Sequence, residues 1–163
     1  MMAAKPNAIG EIGLDFHWAK TEVEKQRQHA AFGYQRTLAK KAGLPVVIHC
    51  RDAMAEVLDE LENNGFSDFM MHCFAGNADD AKRAVGLGGI ISVPPMHSKE
   101  RKKAIKAIGL ENVVAETDAP YLGDTKTLSD INISIQIIAD ALGISFEKAA
   151  GATVENDRRF YRI

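Results

Sequence analysis

The stretch PVVIHCRDA, residues 45–53, decides how the chain is read. After Pro45, three β-branched residues (Val46, Val47, Ile48) run without a break into His49. β-Branched side chains fit a pleated surface. A continuous apolar run, rather than an alternating one, marks a strand covered on both faces, as in a parallel sheet flanked by helices. The pattern returns in FMMHCF, residues 69–74, where the apolar residues again stop at His-Cys. Two strands that each finish on an imidazole suggest side chains converging on one point.

Working outward, strands are expected at 8–12, 45–49, 68–73, 90–93 and 112–117. GLD follows the first strand as a connection. A helix over 21–42 opens on a capping box of Thr21 and Glu24 and is stopped by Gly43 and Pro45. Further helices are expected at 52–64, at 77–86 with Asn77 as cap, at 98–108 with Ser98 as cap, and at 129–142 after a loop. A helical pair ending near Tyr161 closes the chain. Five strands, each followed by helix, give an α/β class and one domain over 1–163. An open doubly wound sheet and a (β/α) barrel both fit. A dinucleotide site does not, because GLGG at 86–89 follows a helix instead of opening one.

The 163 residues are 46% hydrophobic and 26% charged with a net charge of −2, so no global basic field draws in nucleic acid or an anionic membrane. The run KERKKAIK, 99–106, reads as a helix with Ala104, Ile105 and Ile108 inward and its lysines solvated. No secretory signal and no membrane-length apolar run are present, which points to the cytoplasm. The two cysteines each follow a histidine; strand alternation turns them to the opposite face, as buried small hydrophobes rather than ligands.

Four polar residues stand at the carboxyl ends of strands: Glu11, His49, His72 and Asp118. Sites form at these ends in parallel α/β folds. Singly, each has a structural reading: Glu11 can pair with Arg51, Asp118 can cap the turn before Pro120, and each histidine can be a bonded rim residue. Together they make a ligand set for zinc, manganese or a similar divalent ion. The strand IISV carries no such residue. His17, His29 and His97 fall outside the set, His29 on the surface and His97 near a rim.

AIGEIGLDFHW (8–18), QRQHAAFGYQ (26–35), LPVVIHCRDA (44–53), HCFAG (72–76) and ETDAPYL (116–122) resemble the successive motifs of the TatD-related deoxyribonucleases. These are metal-dependent hydrolases of the amidohydrolase superfamily with a TIM-barrel fold. GISFEKAAGATVENDRRFY (143–161) is similar to their C-terminal helices. The resemblance implies that Glu11 bridges metals, that His49 and His72 bind one ion, and that Asp118 binds the other and activates water. Asp118 and Glu11 are thus the implied catalytic pair, and Arg51 the implied substrate contact. It implies one or two divalent ions per chain (Zn, Mn or Mg) and DNA or a small phosphodiester as substrate.

Two departures bear on those expectations. No two histidines stand two residues apart, whereas the family opens on a His-x-His strand. The sequence therefore reads as a partial TIM barrel of five parallel strands, lacking the first three βα units of a fold of about 250 residues. Glu11, His49 and His72 can still form a three-ligand site. The bare edges of strands 8–12 and 112–117 invite a homo-oligomer or a complementing chain. GDTKTLSD, 123–130, is short and lacks the Arg-Asn-Glu-Pro-like segment of relatives, so no substrate contact is expected from it. Two alternatives stand beside the nuclease: an impaired barrel remnant acting as a subunit or binding module, and a hydrolase of a small lactone, amide or phosphate ester.

Overall fold

The computed structural model describes residues 5–163. Its elements are β1 (Ile9–Asp15), α1 (Glu22–Ala42), β2 (Val46–Arg51), α2 (Met54–Asn63), β3 (Phe69–Met71), α3 (Ala78–Gly86), β4 (Ile90–Val93), α4 (Lys99–Ile108), β5 (Val113–Ala115), α5 (Ile131–Leu142) and α6 (Phe146–Tyr161). The strands pair in parallel in the order β1-β2-β3-β4-β5. A doubly wound sheet reverses direction at a switch point, whereas a barrel adds each strand beside the last. This sheet never reverses, which decides for barrel winding. β1 and β5 are its outer strands.

Local chemistry explains the boundaries. Thr21 and Glu24 form the expected capping box on α1, and Gly43 ends that helix at φ 65°. Asn77 and Asp80 cap α3 reciprocally, and the Ser98 hydroxyl accepts from Arg101 N–H. On α4 the lysines are exposed as expected, but Arg101 is buried, donating to the carbonyls of Phe74 and Met96. The last helix is one continuous element with Gly151 inside it, not a pair. The buried Asn156 side chain fastens it to the sheet by donating to the Leu110 and Val113 carbonyls at 2.8 and 2.7 Å.

Ile12, Leu14, Val46, Ile48, Phe69, Met71, Ile91 and Val113 face the helices and make the main core with Phe32, Leu58 and Ile105. Strand alternation turns Val47, Met70, Ile90 and Val114 the other way, where Phe160 and Tyr161 of α6 pack against them. His49 shares that second face, two residues after Val47. Among the described residues no helix is long and apolar enough to cross a membrane.

Expected boundaries shift most tellingly at the strand ends where chemistry is sought, β2 too running on to Arg51. β1 runs on to Asp15, pairing Gly13, Leu14 and Asp15 with His49, Cys50 and Arg51, so GLD is strand rather than connection. β3 stops at Met71, leaving His72 and Cys73 in a turn with Cys73 at φ 47°. β5 stops at Ala115, so Glu116 and Asp118 lie beyond it. The opposite-face argument therefore holds for Cys50, which packs on the main core, and does not apply to Cys73.

Gly13 permits the closest approach in the sheet: at φ +147°, a Cβ there would stand 1.9 Å from the His49 carbonyl oxygen. Gly13→Ala is expected to cost about 3 kcal/mol or more, combining backbone strain and overlap. Gly43→Ala, with nothing within 4 Å of its Cβ, is expected to cost only about 1–2 kcal/mol of left-handed strain. Urea-unfolding midpoints of the two variants check the ranking.

Candidate metal centre

Glu11 owes its direction to an irregularity. Between the pairs Ile9–Val46 and Ile12–Ile48, β1 advances three residues while β2 advances two. Such a bulge re-aims a side chain. Gly10 lies in it, where a Cβ would meet Val47 Cβ at 2.7 Å. Beyond it, Asp15 ends β1 with its backbone clamped by Gln28 of α1, which accepts from the Asp15 N–H at 2.8 Å and donates to its carbonyl at 3.1 Å.

Each histidine is held by a carboxylate through one ring nitrogen. His49 Nε2 bonds Asp15 Oδ2 at 2.8 Å, leaving Nδ1 3.6 Å from Glu11 Oε2. His72 Nδ1 lies 2.6 Å from Glu116 Oε2, leaving Nε2 3.6 Å from Glu11 Oε1 and 3.7 Å from Asp118 Oδ1. The His72 backbone N–H donates to the Ile48 carbonyl at 2.9 Å. Glu116 Oε2 also accepts from the Ser92 hydroxyl at 2.6 Å, while Glu116 Oε1 is buried without a partner among the described residues. Asp118 makes the turn before Pro120 with its backbone: its carbonyl accepts from Tyr121 and Leu122 N–H, leaving the carboxylate for the site.

Four carboxylates thus surround two imidazoles. Burial alone lowers the His72 pKa, but the hydrogen bond and charge of Glu116, with Glu11 and Asp118 behind it, outweigh burial and raise it. Burial raises the Asp118 pKa, and Glu116 and Glu11 add to the rise against the pull of His72 and His49. An excess of negative charge here favours a cation.

The donor set fits a divalent ion. Two donors about 2.1 Å from one tetrahedral ion stand about 3.4 Å apart. The separations of 3.6–3.7 Å from Glu11 to both free imidazole nitrogens, and from His72 to Asp118, are close to that value. They are too long for hydrogen bonds. Among the described residues no three of these groups are already drawn in around one point. They meet in pairs, with Glu11 common to both rings. A carboxylate on the far nitrogen of each ring is the arrangement that orients metal-binding histidines.

The structure brings Glu11, His49, His72 and Asp118 together and leaves Arg51 outside their contacts. Arg51 does not pair with Glu11. It is exposed at the end of β2 and lines a cavity of about 440 Å³ with Asp52, Asn77, Asp80 and Glu100. Burial pushes the Cys50 and Cys73 thiols up to about 12, which keeps both protonated. His29 is half-buried rather than on the surface, paired with Glu60 and edge-on to Phe16. His17 faces Asp52 at 3.5 Å, and His97 lines a separate cavity with Lys99, Lys102 and Asp140.

Asp15, Glu116, Ser92 and Gln28 escaped the sequence reading. Asp15 fell in a presumed connection, and Glu116 stood two residues before the more conspicuous Asp118. The one available signal was acidic residues at even spacing near a strand end: Glu11 with Asp15, and Glu116 with Asp118.

Residues 2–162 match the family model described as TatD related DNase. The chain belongs to this family. It is 34% identical over 168 residues to the uncharacterized metal-dependent hydrolase YabD of Bacillus subtilis, covering 96% of this chain and 65% of YabD. It is 34% identical over 162 residues to the deoxyribonuclease TATDN3 of Homo sapiens, covering 94% of this chain and 59% of that protein. A crystal structure of the TatD homologue YJJV from Escherichia coli K12 superposes with a TM-score of 0.82 at 23% identity, over 96% of this chain and 64% of that one. At that identity the likeness concerns the fold. The five-stranded sheet corresponds to part of the TatD barrel, and the chain spans 59–65% of the two curated relatives named here.

The site's negative field reaches α6 of this TatD-family chain. Burial, with the charge of Glu116, raises the Asp157 carboxyl to about 6. The folded state therefore keeps a proton that the unfolded chain releases between the ordinary carboxylate range and about pH 6, and stability falls as pH rises through that window. Asp157→Asn is expected to raise the melting temperature at pH 7.5, by the equivalent of about 1 kcal/mol after solvent screening. The gain is expected to vanish near pH 4, as paired melts at the two pH values will show.

Proposed function

We propose that this chain carries the metal-binding and hydrolytic centre of a TatD-type hydrolase that cleaves phosphodiesters, DNA among them. The observation that carries this reading is the single Glu11 carboxylate spanning the free nitrogens of two carboxylate-held imidazoles. Glu11, His49 through Nδ1 and His72 through Nε2 would hold one divalent ion, and Asp118 would reach the same ion or a second. A bound zinc, manganese or magnesium ion supplies an acidified water and neutralises charge on phosphate. Asp118, with its raised pKa, accepts the proton of the attacking water. Arg51, exposed and without a carboxylate partner among the described residues, is available to a phosphate oxygen. The similarity to the metal-dependent hydrolase YabD and the deoxyribonuclease TATDN3 supports the reaction class and DNA as one substrate.

A second reading rests on Asp118, which faces one imidazole nitrogen at 3.7 Å, and on the outer position of β1 and β5. In it the chain holds metal but turns over only when a second copy or a complementing chain covers those edges. Hydrolysis of bis(p-nitrophenyl) phosphate and of a single-stranded oligonucleotide, with manganese, zinc or magnesium, separates the two. The first reading expects chelator-sensitive turnover that falls about 10²-fold or more in Asp118→Asn. Turnover indifferent to both chelator and Asp118→Asn would overturn it. Metal binding without turnover would leave the second reading standing.

A further inference from the structure

Ser92 is the one polar residue of β4, in the stretch IISV, and it is 0% exposed. A hydroxyl buried in an apolar strand is unfavourable unless its bonds are met. Here its nearest sheet carbonyl, that of Met71, is 3.5 Å away, while Glu116 Oε2 is at 2.6 Å, so the hydroxyl proton goes to the carboxylate. Ser92 Oγ in turn accepts from the Cys73 N–H at 3.0 Å, and the Ser92 carbonyl accepts from the Phe74 N–H at 3.1 Å. One serine on the strand without a ligand therefore ties the turn after β3 to the carboxylate after β5.

These bonds close a ring. His72 Nδ1 donates to Glu116, Glu116 accepts from Ser92, and Ser92 accepts from the residue that follows His72. Because a carboxylate only accepts, the proton of the neutral His72 ring must sit on Nδ1, and the Nε2 lone pair must face Glu11 and Asp118. The Ser92 proton selects which Glu116 oxygen meets the ring. The Ser92 acceptor holds the turn at Cys73, whose left-handed φ of 47° is costly for a non-glycine residue.

We propose that Ser92 is a positioning residue for the metal centre: its hydroxyl, acting through Glu116, sets the tautomer and aim of His72. This rests on the reading of His72 as a metal ligand, and two readouts keep the claims apart. The first is the His72 tautomer in the metal-free chain, by nitrogen-15 NMR of the imidazole. The second is zinc affinity, by competition with a chromophoric chelator.

The wild-type chain is expected to show Nδ1–H at His72. Ser92→Ala is expected to lose that single tautomer and to bind zinc roughly ten- to a hundred-fold more weakly, the range for outer-shell partners. Ser92→Thr, which keeps the hydroxyl, is expected to stay within about threefold of wild type. Equal losses in the Ala and Thr variants would assign the effect to packing and overturn the proposal. So would a Ser92→Ala chain with an intact tautomer and unchanged affinity. Should Ser92→Ala fail to fold, Glu116→Ala removes the acceptor while leaving the Ser92–Cys73 bond in place, and must still disturb the tautomer; an undisturbed ring would overturn the proposal. A wild-type chain that keeps Nδ1–H but binds no zinc refutes the metal reading instead.

Discussion

An imidazole at the end of an apolar strand has two nitrogens to satisfy, and in this fold a carboxylate takes one of them in each ring. Asp15 holds Nε2 of His49, and Glu116 holds Nδ1 of His72. The opposite choice of nitrogen lets two rings on adjacent strand ends turn their remaining nitrogens toward one residue, Glu11. Much of the local backbone serves this arrangement. The bulge in β1 aims Glu11, the glycines at 10 and 13 bring β1 against β2, and Gln28 fixes the Asp15 backbone.

Concentrating four carboxylates beside two imidazoles opposes folding as well as preparing a site. Burial raises the pKa values of both Asp118 and Asp157, and the negative charge of Glu116 adds to each rise. Glu116 bears on both, and its Oε1 is buried without a partner among the described residues. The apolar clusters beneath offset this strain: the helix-side core and the smaller cluster under Phe160 and Tyr161. A polar end on an apolar slab is how a parallel sheet separates stability from chemistry.

The architecture was readable because apolar runs of β-branched residues and matched caps at Thr21, Asn77 and Ser98 agree with one another at every level. Periodicity left the doubly wound sheet and the barrel equal, since strand order is a long-range property; only the pairing of β1 through β5 separates them. Glu11, His49, His72 and Asp118 were visible as polar residues where apolar runs stop. Their partners were not. Asp15 required knowing that Gly13 continues a strand, although glycine normally weakens one. Ser92 looked like filler in IISV because a serine in a strand has many bland readings. His29 was assigned to the surface because nothing on α1 announces Glu60, which comes from α2.

The account is tested most directly by anomalous diffraction at the zinc edge from crystals of the chain grown with zinc. It predicts a peak within coordination distance of Glu11, Nδ1 of His49 and Nε2 of His72, with Asp15 and Glu116 still on the far nitrogens. Zinc bound through the opposite ring nitrogens, zinc on the thiols of Cys50 or Cys73, or no peak near Glu11 at saturating metal would contradict it.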